Sequence, residues 1–187
     1  SGRVPGASRA ELAQTLAIES SSNGLSGFAA YLFYNNATVC ILVFALGFAF
    51  GVPTVLMLIY NMAMLGAMAW LFNSVGLLPE FMAWLCVHGT TEFTAILLSG
   101  AAGVHVGRNM AFPGDSSILG ATAQAGRRAA LVMLGCVIML VFAAVLEAFP
   151  RQLAGPEARA IIGAFMAIAW TALFVLVGRE RKGASAP

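Results

Sequence analysis

No charged residue occurs between Glu19 and Glu80, an uncharged stretch of 60 residues at positions 20–79. Its apolar part, about residues 35–76, constrains the fold more than any other feature of the chain. One bilayer crossing takes about 20 predominantly apolar residues, so this stretch holds two helices in series. Pro53 lacks a backbone donor and disfavours helix in the residue before it, which places the break at Gly51-Val52-Pro53. Spans over residues 34–51 and 53–74 follow, and later apolar segments predict three more, over 80–106, 128–149 and 160–178. The expected fold is all-α, a polytopic transmembrane helix bundle of about five spans. An N-terminal segment (1–33) precedes the bundle (34–178), and a short tail (179–187) follows it.

Composition agrees. Only 10 basic and 8 acidic residues occur in 187, and 60% of the chain is hydrophobic, too little polar surface to cover a water-soluble enzyme. A net charge of +2, with no basic patch interleaved with aromatics, no metal-finger spacing and no phosphate loop, gives no basis for nucleic-acid binding. Cys40, Cys86 and Cys136 lie in apolar runs without CxxC spacing and read as small packing residues.

Orientation follows from the loop cations, because Lys and Arg are retained on the cytoplasmic side. Arg108, Arg127, Arg128, Arg179, Arg181 and Lys182 share one side; Arg3, Arg9, Arg151 and Arg159 share the other. This bias places the C-terminal tail in the cytoplasm and the N-terminal segment outside. Within that segment, residues 11–19 read as a short helix with Leu12, Leu16 and Ile18 directed at the membrane surface. Phe112-Pro113-Gly114-Asp115 is a turn signal, and Ser116-Ser117 is expected to start a short interfacial helix leading to Arg127.

Polar chemistry concentrates in the third span. His88 and Glu92 are four apart in His88-Gly89-Thr90-Thr91-Glu92 and share a helix face that continues through Ala95, Ser99 and Gly103. Glu92 follows Glu80 by 12 residues, about 18 Å along a helix, which is near mid-bilayer. A carboxyl there is either neutral or paired, with His88 the nearest candidate partner. Asn61 lies inside the second span, where an amide bonds to a neighbouring helix, and Asn35 and Asn36 read as caps of the first helix or as part of the same polar core. Glu147 sits near the outer end of the fourth span, within reach of Arg151. The candidate intramembrane polar core is therefore Asn36, Asn61, His88, Thr91, Glu92 and Glu147. Gly47 and Gly51, like Gly103 and Gly107, are four apart and allow close helix approach, within the bundle or in a homo-oligomer. His105 reads as an interfacial side chain beside Arg108.

No nucleophile elbow, Ser/His pairing or paired acidic motif appears. His88 and Glu92 lack the second histidine of a zinc-protease helix, and no acidic cluster completes a shell, so neither a metal nor another cofactor is implied.

The order of motifs carries a resemblance: Asn35-Asn36, a glycine-rich span with Gly47 and Gly51, Asn61 with Gly66, His88-Gly-Thr-Thr-Glu92, Gly100-Ala-Ala-Gly103, Phe112-Pro113-Gly114 and Glu147. Over about residues 10–152 the chain resembles the stage II sporulation protein M family of bacterial membrane proteins. The resemblance implies an all-helical membrane protein, usually longer at the N-terminus by a preceding span. It implies partners too: the namesake anchors a complex with stage II sporulation proteins D and P, which degrade septal peptidoglycan, and many members are encoded beside MoxR-type ATPases. The reading that results is a scaffold or assembly protein of the cell envelope, its polar residues holding or regulating the bundle. The alternatives are a transporter or proton-coupled channel using His88 and Glu92, and an intramembrane metalloenzyme completed by a further ligand.

Overall fold

The computed structural model describes residues 3–16, 25–148 and 156–183. They form six α-helices: α1 (Arg9–Leu16), α2 (Leu25–Ala45), α3 (Val52–Ser74), α4 (Leu78–Ala111), α5 (Ile118–Ala148) and α6 (Pro156–Gly183). Four are long and apolar enough to cross a bilayer, over Val52–Ser74, Leu78–Ala111, Ile118–Leu146 and Glu157–Leu176, and Phe33–Phe48 is a shorter apolar helical stretch. The side chains facing away from the bundle are correspondingly apolar, among them Leu56, Ile59, Trp70, Leu131, Ile161 and Phe165, all more than half exposed. A surface of that kind is stable in hydrocarbon and unstable in water. The chain is a multi-pass membrane protein.

α2 and α3 form a hairpin. α2 tightens into a 3₁₀ turn at Leu46–Phe48, and α3 starts after Gly51, which is left-handed at φ 80, with Pro53 in the first helical turn, where its missing N–H costs nothing. The Thr54 hydroxyl donates to the Val43 carbonyl at 2.8 Å, closing the hairpin with a bond buried from lipid. α4 is the hub: it packs against every other helix. Its first turn holds Glu80 and its last Arg108, charges that complement the helix dipole at each end. It ends at Ala111, before the Phe112-Pro113 pair that cannot continue it.

Several boundaries differ from those the sequence suggests. α2 begins at Leu25, so Asn35 and Asn36 lie inside a helix rather than capping it. The expected interfacial helix before Arg127 and the fourth span are one continuous helix, α5, whose start is capped by Ser117: its hydroxyl accepts the Gly120 N–H at 3.1 Å. A hydropathy limit marks where lipid begins, and an Ala-rich helix has no reason to stop there.

α1 also departs from expectation. It starts at Arg9, and Leu12 is wholly buried against Leu71, Phe72, Leu77 and Phe81 instead of lying on the membrane surface. Ile18 lies outside the described residues. Arg9 donates to the carbonyls of Val75 and Gly76 at 3.2 and 3.4 Å, which fastens α1 to the α3–α4 turn; its 3.9 Å ion pair with Glu80 is solvent-exposed and adds little. The helix is started by a capping box. The Ser8 N–H donates to the Glu11 carboxylate at 2.8 Å, and the Ser8 hydroxyl, which donates to the same oxygen at 2.7 Å, accepts the Glu11 N–H at 3.3 Å. The Ser8 side-chain and backbone bonds hold the Glu11 carboxyl below the usual glutamate range. A lowered folded value contributes stability above the unfolded pKa that is lost as pH falls through the folded one. Amide protection factors in α1 should therefore fall on acidification below the ordinary glutamate range. Ser8→Ala should lower them already at neutral pH and flatten the remaining pH response; a Ser8→Ala profile superimposable on wild type would remove the box from the account.

Candidate functional site: a buried polar knot on α4

The buried face of α4 carries His88, Thr91, Glu92, Ala95, Ser99 and Gly103 at steps of three and four residues. His88 is 3% exposed, Thr91 and Ser99 are fully buried, and Glu92 is 9% exposed. Three surrounding helices, α2, α5 and α6, send polar groups to this face. From α2, the Asn36 amide donates to the Glu92 carboxylate. From α6, the Trp170 indole N–H donates to the Thr91 hydroxyl at 3.0 Å. From α5, the Cys136 thiol donates to the Ala95 carbonyl at 3.4 Å, an oxygen that also receives the Ser99 hydroxyl at 2.8 Å. Cys40, Ile96, Met139 and Leu140 enclose the level around Ala95 and Cys136.

Asn61 is not drawn into the knot. Its amide donates to the Met57 carbonyl one turn back on α3 at 2.8 Å, so it satisfies its own helix and bridges to no neighbour through that bond. The side chain of Glu147, and Arg151 with it, lies outside the described residues. His105 is exposed at the opposite end of α4, where it lines a cavity with Arg128.

The close approach that brings the donors into range depends on glycine. The two spaced pairs pack on each other: a Cβ on Gly47 would fall on the backbone of Gly103, and one on Gly107 would fall on the Gly47 carbonyl. A Cβ on Gly100 would meet Leu58 at 2.8 Å and Val43 at 3.2 Å. On the other flank, a Cβ on Gly163 of α6 would come within 2.5 Å of the Cys86 carbonyl, so α6 too rests directly on α4 backbone.

An aromatic ladder continues from the knot to the N-terminal segment. The His88 ring meets Trp84 edge-on at 5.4 Å, Trp84 stacks on Phe81 at 6.0 Å, and Phe81 on Phe72 at 4.6 Å. The Arg3 guanidinium lies 4.5 Å from the Trp84 ring centre and is held there by donating to the Thr15 hydroxyl and carbonyl at 3.1 and 2.9 Å. Nearby, Arg159 is 8% exposed and lines a cavity of about 210 Å3 with Leu16, Glu80 and Trp84.

Arg3, Trp84, Arg159, Gly163 and Trp170 escape a sequence reading. Trp84 alone carries a usable signal, four residues before His88 on the same helix face. Trp170 is 79 residues from Thr91 and sits in an ordinary apolar helix, and nothing local marks it.

The sequence model of the family described as Stage II sporulation protein M matches residues 5–150. The chain belongs to the stage II sporulation protein M family. No curated protein and no solved structure matches it. The family match covers α1 to α5 and so includes Asn36, His88, Thr91 and Glu92, while Trp170 and Gly163 on α6 lie beyond it. Chemically, the knot is a set of hydrogen-bond donors and acceptors through which α2, α5 and α6 each reach α4. Among the described residues no three His, Cys, Asp or Glu side chains converge on a common point. Removing the α6 strut tests the arrangement. Trp170→Phe should lower stability in detergent by about 1 kcal/mol, the scale of an interhelical hydrogen bond in a membrane protein. A thermal midpoint unchanged from wild type would mean that the indole bond contributes nothing.

Proposed function

We propose that this protein is a membrane scaffold of the stage II sporulation protein M type, which organises partner proteins at the bacterial cytoplasmic membrane. The partners, by family analogy, are peptidoglycan hydrolases acting in envelope remodelling or a MoxR-type ATPase system. One observation carries the reading: the Asn36–Glu92 and Trp170–Thr91 bonds commit these four side chains to joining α2, α4 and α6. Side chains committed to one another hold a bundle in one shape, which a platform for other proteins needs. A transporter needs the same groups for water and ions in at least two states.

The deciding experiment is purification of the full-length protein from its native membrane in mild detergent, followed by mass spectrometry of co-purifying proteins. A stoichiometric hydrolase or ATPase supports the scaffold. A clean self-oligomer without either would overturn it and make ion flux the next measurement.

The proposed orientation has the C-terminus in the cytoplasm, with Arg108, Arg127 and Arg128 on the same side. Single cysteines placed at positions 108–128 should react with impermeant maleimide only in inside-out vesicles. Labelling of intact cells at those positions would reverse the topology.

A further inference from the structure

We propose that the groove between α4 and α5, at the end of the bundle that carries Arg108 and Arg128, binds an anionic phospholipid. Two adjoining cavities, of about 600 and 230 Å3, share His105, Arg128 and Val132 in their walls. Their polar end is formed by His105 and Arg128, and their apolar wall by Leu98, Ala101, Leu131 and Val132. A charged head over an apolar trough matches an amphiphile and fits poorly to a wholly polar or wholly apolar ligand.

Depth places the head correctly. His105 lies 25 residues after Glu80 on the single helix α4, a rise of about 38 Å, against a hydrocarbon core about 30 Å thick. With Glu92 near the midplane, His105 is about 20 Å from it, at the level of lipid phosphates. Arg128, which shares both cavities, is at the same level, and Leu98 lies two turns deeper, where acyl chains run.

Charge selects the headgroup. Arg128 is the arginine in the cavity walls; Arg108 and Arg127 are exposed on the same two helices, and among the described residues none of the three is in an ion pair. Asp115 sits in the turn between the helices and is exposed. The excess of positive charge favours a headgroup of net negative charge over a zwitterionic one, by about 1 kcal/mol, or about fivefold, for each arginine engaged. Cavities between membrane helices with basic side chains at the interface are suited to such lipids.

The test uses the full-length protein in mild detergent, incubated with phosphatidylglycerol or phosphatidylcholine of matched acyl chains and read by native mass spectrometry. Phosphatidylglycerol should be retained about fivefold more than phosphatidylcholine. Arg128→Gln should bring the ratio close to one, while Lys182→Gln, which removes a charge from the last turn of α6, should leave it unchanged. Val132→Trp should lower phosphatidylglycerol retention with Arg128 in place, because it fills the apolar arm. Since Arg128 and Val132 face outward, both variants are expected to elute as wild type on size exclusion. Equal retention of the two lipids, a ratio preserved in Arg128→Gln, or full displacement of phosphatidylglycerol by excess inorganic phosphate would each overturn the proposal, the last by showing a site for free phosphate.

Discussion

Gly103→Leu is expected to prevent the native bundle from forming. A Cβ at this position would lie 2.7 Å from the Phe44 carbonyl oxygen and 3.1 Å from the Phe44 Cα, both backbone atoms that no rotamer change can move aside. Overpacking a core usually costs 1–3 kcal/mol because side chains give way; where two backbones must separate the cost is at the upper end or beyond. Moving α4 off the α2 turn also lengthens the Asn36–Glu92 bond and parts the Gly47 and Gly107 contact, so the losses reinforce one another. Against a total stability of about 5–15 kcal/mol, the expected result is loss of the monodisperse species in detergent. Gly66→Leu is the matched control, since nothing lies within 4 Å of its Cβ direction. It should be tolerated, helped by leucine's better helix propensity. Recovery of Gly103→Leu with a wild-type thermal midpoint would show that α2 and α4 do not approach as described.

Asn36→Leu should have the next largest effect. It removes the amide that donates to the buried Glu92 carboxyl, and losing a hydrogen bond to such a group costs about 1.5–3 kcal/mol. Glu92→Gln should cost less, about 1 kcal/mol or under, because its amide oxygen can accept the same N–H. The double variant Asn36→Leu with Glu92→Leu should recover part of the loss, since the buried carboxyl is removed together with its donor. Thermal midpoints in one detergent, arranged as a double-mutant cycle, give the coupling directly. Additive losses with no coupling would dissolve the pair. The same Glu92→Gln protein tests the scaffold reading from another side. It should assemble with partners as wild type does, whereas a pH-dependent flux in vesicles that wild type carries and Glu92→Gln lacks would defeat a purely structural role for the carboxyl.

What the sequence made legible is local in origin. The length of the uncharged stretch requires two crossings, and the backbone limits of Gly51 and Pro53 put the break between α2 and α3 where it is found. The three- and four-residue spacing of His88, Glu92, Ala95, Ser99 and Gly103 marks α4 as the helix with a polar, small-residue face. Helix ends were less legible. α2 reaches back to Leu25 and α5 to Ile118, because a helix can run past the hydrocarbon into the interface while a span is defined by hydropathy alone.

Only the tertiary structure decided what meets what. Glu92 takes its amide from Asn36, 56 residues away, and Thr91 takes its indole from Trp170, 79 residues away, while Asn61, equally polar and equally within a span, bonds to its own helix. The N-terminal segment docks Leu12 and Arg3 onto the aromatic ladder rather than lying on lipid. In lipid no hydrophobic force turns an apolar helix toward its neighbours, so rotation and register are set by close packing and by the few polar groups that find partners. The sequence determined how many helices cross and which face of α4 is buried. Which helices close on that face, and through which atoms, is settled when glycine backbones such as Gly47 and Gly103 come into contact, a property of pairs of helices that the pattern along any one of them does not contain.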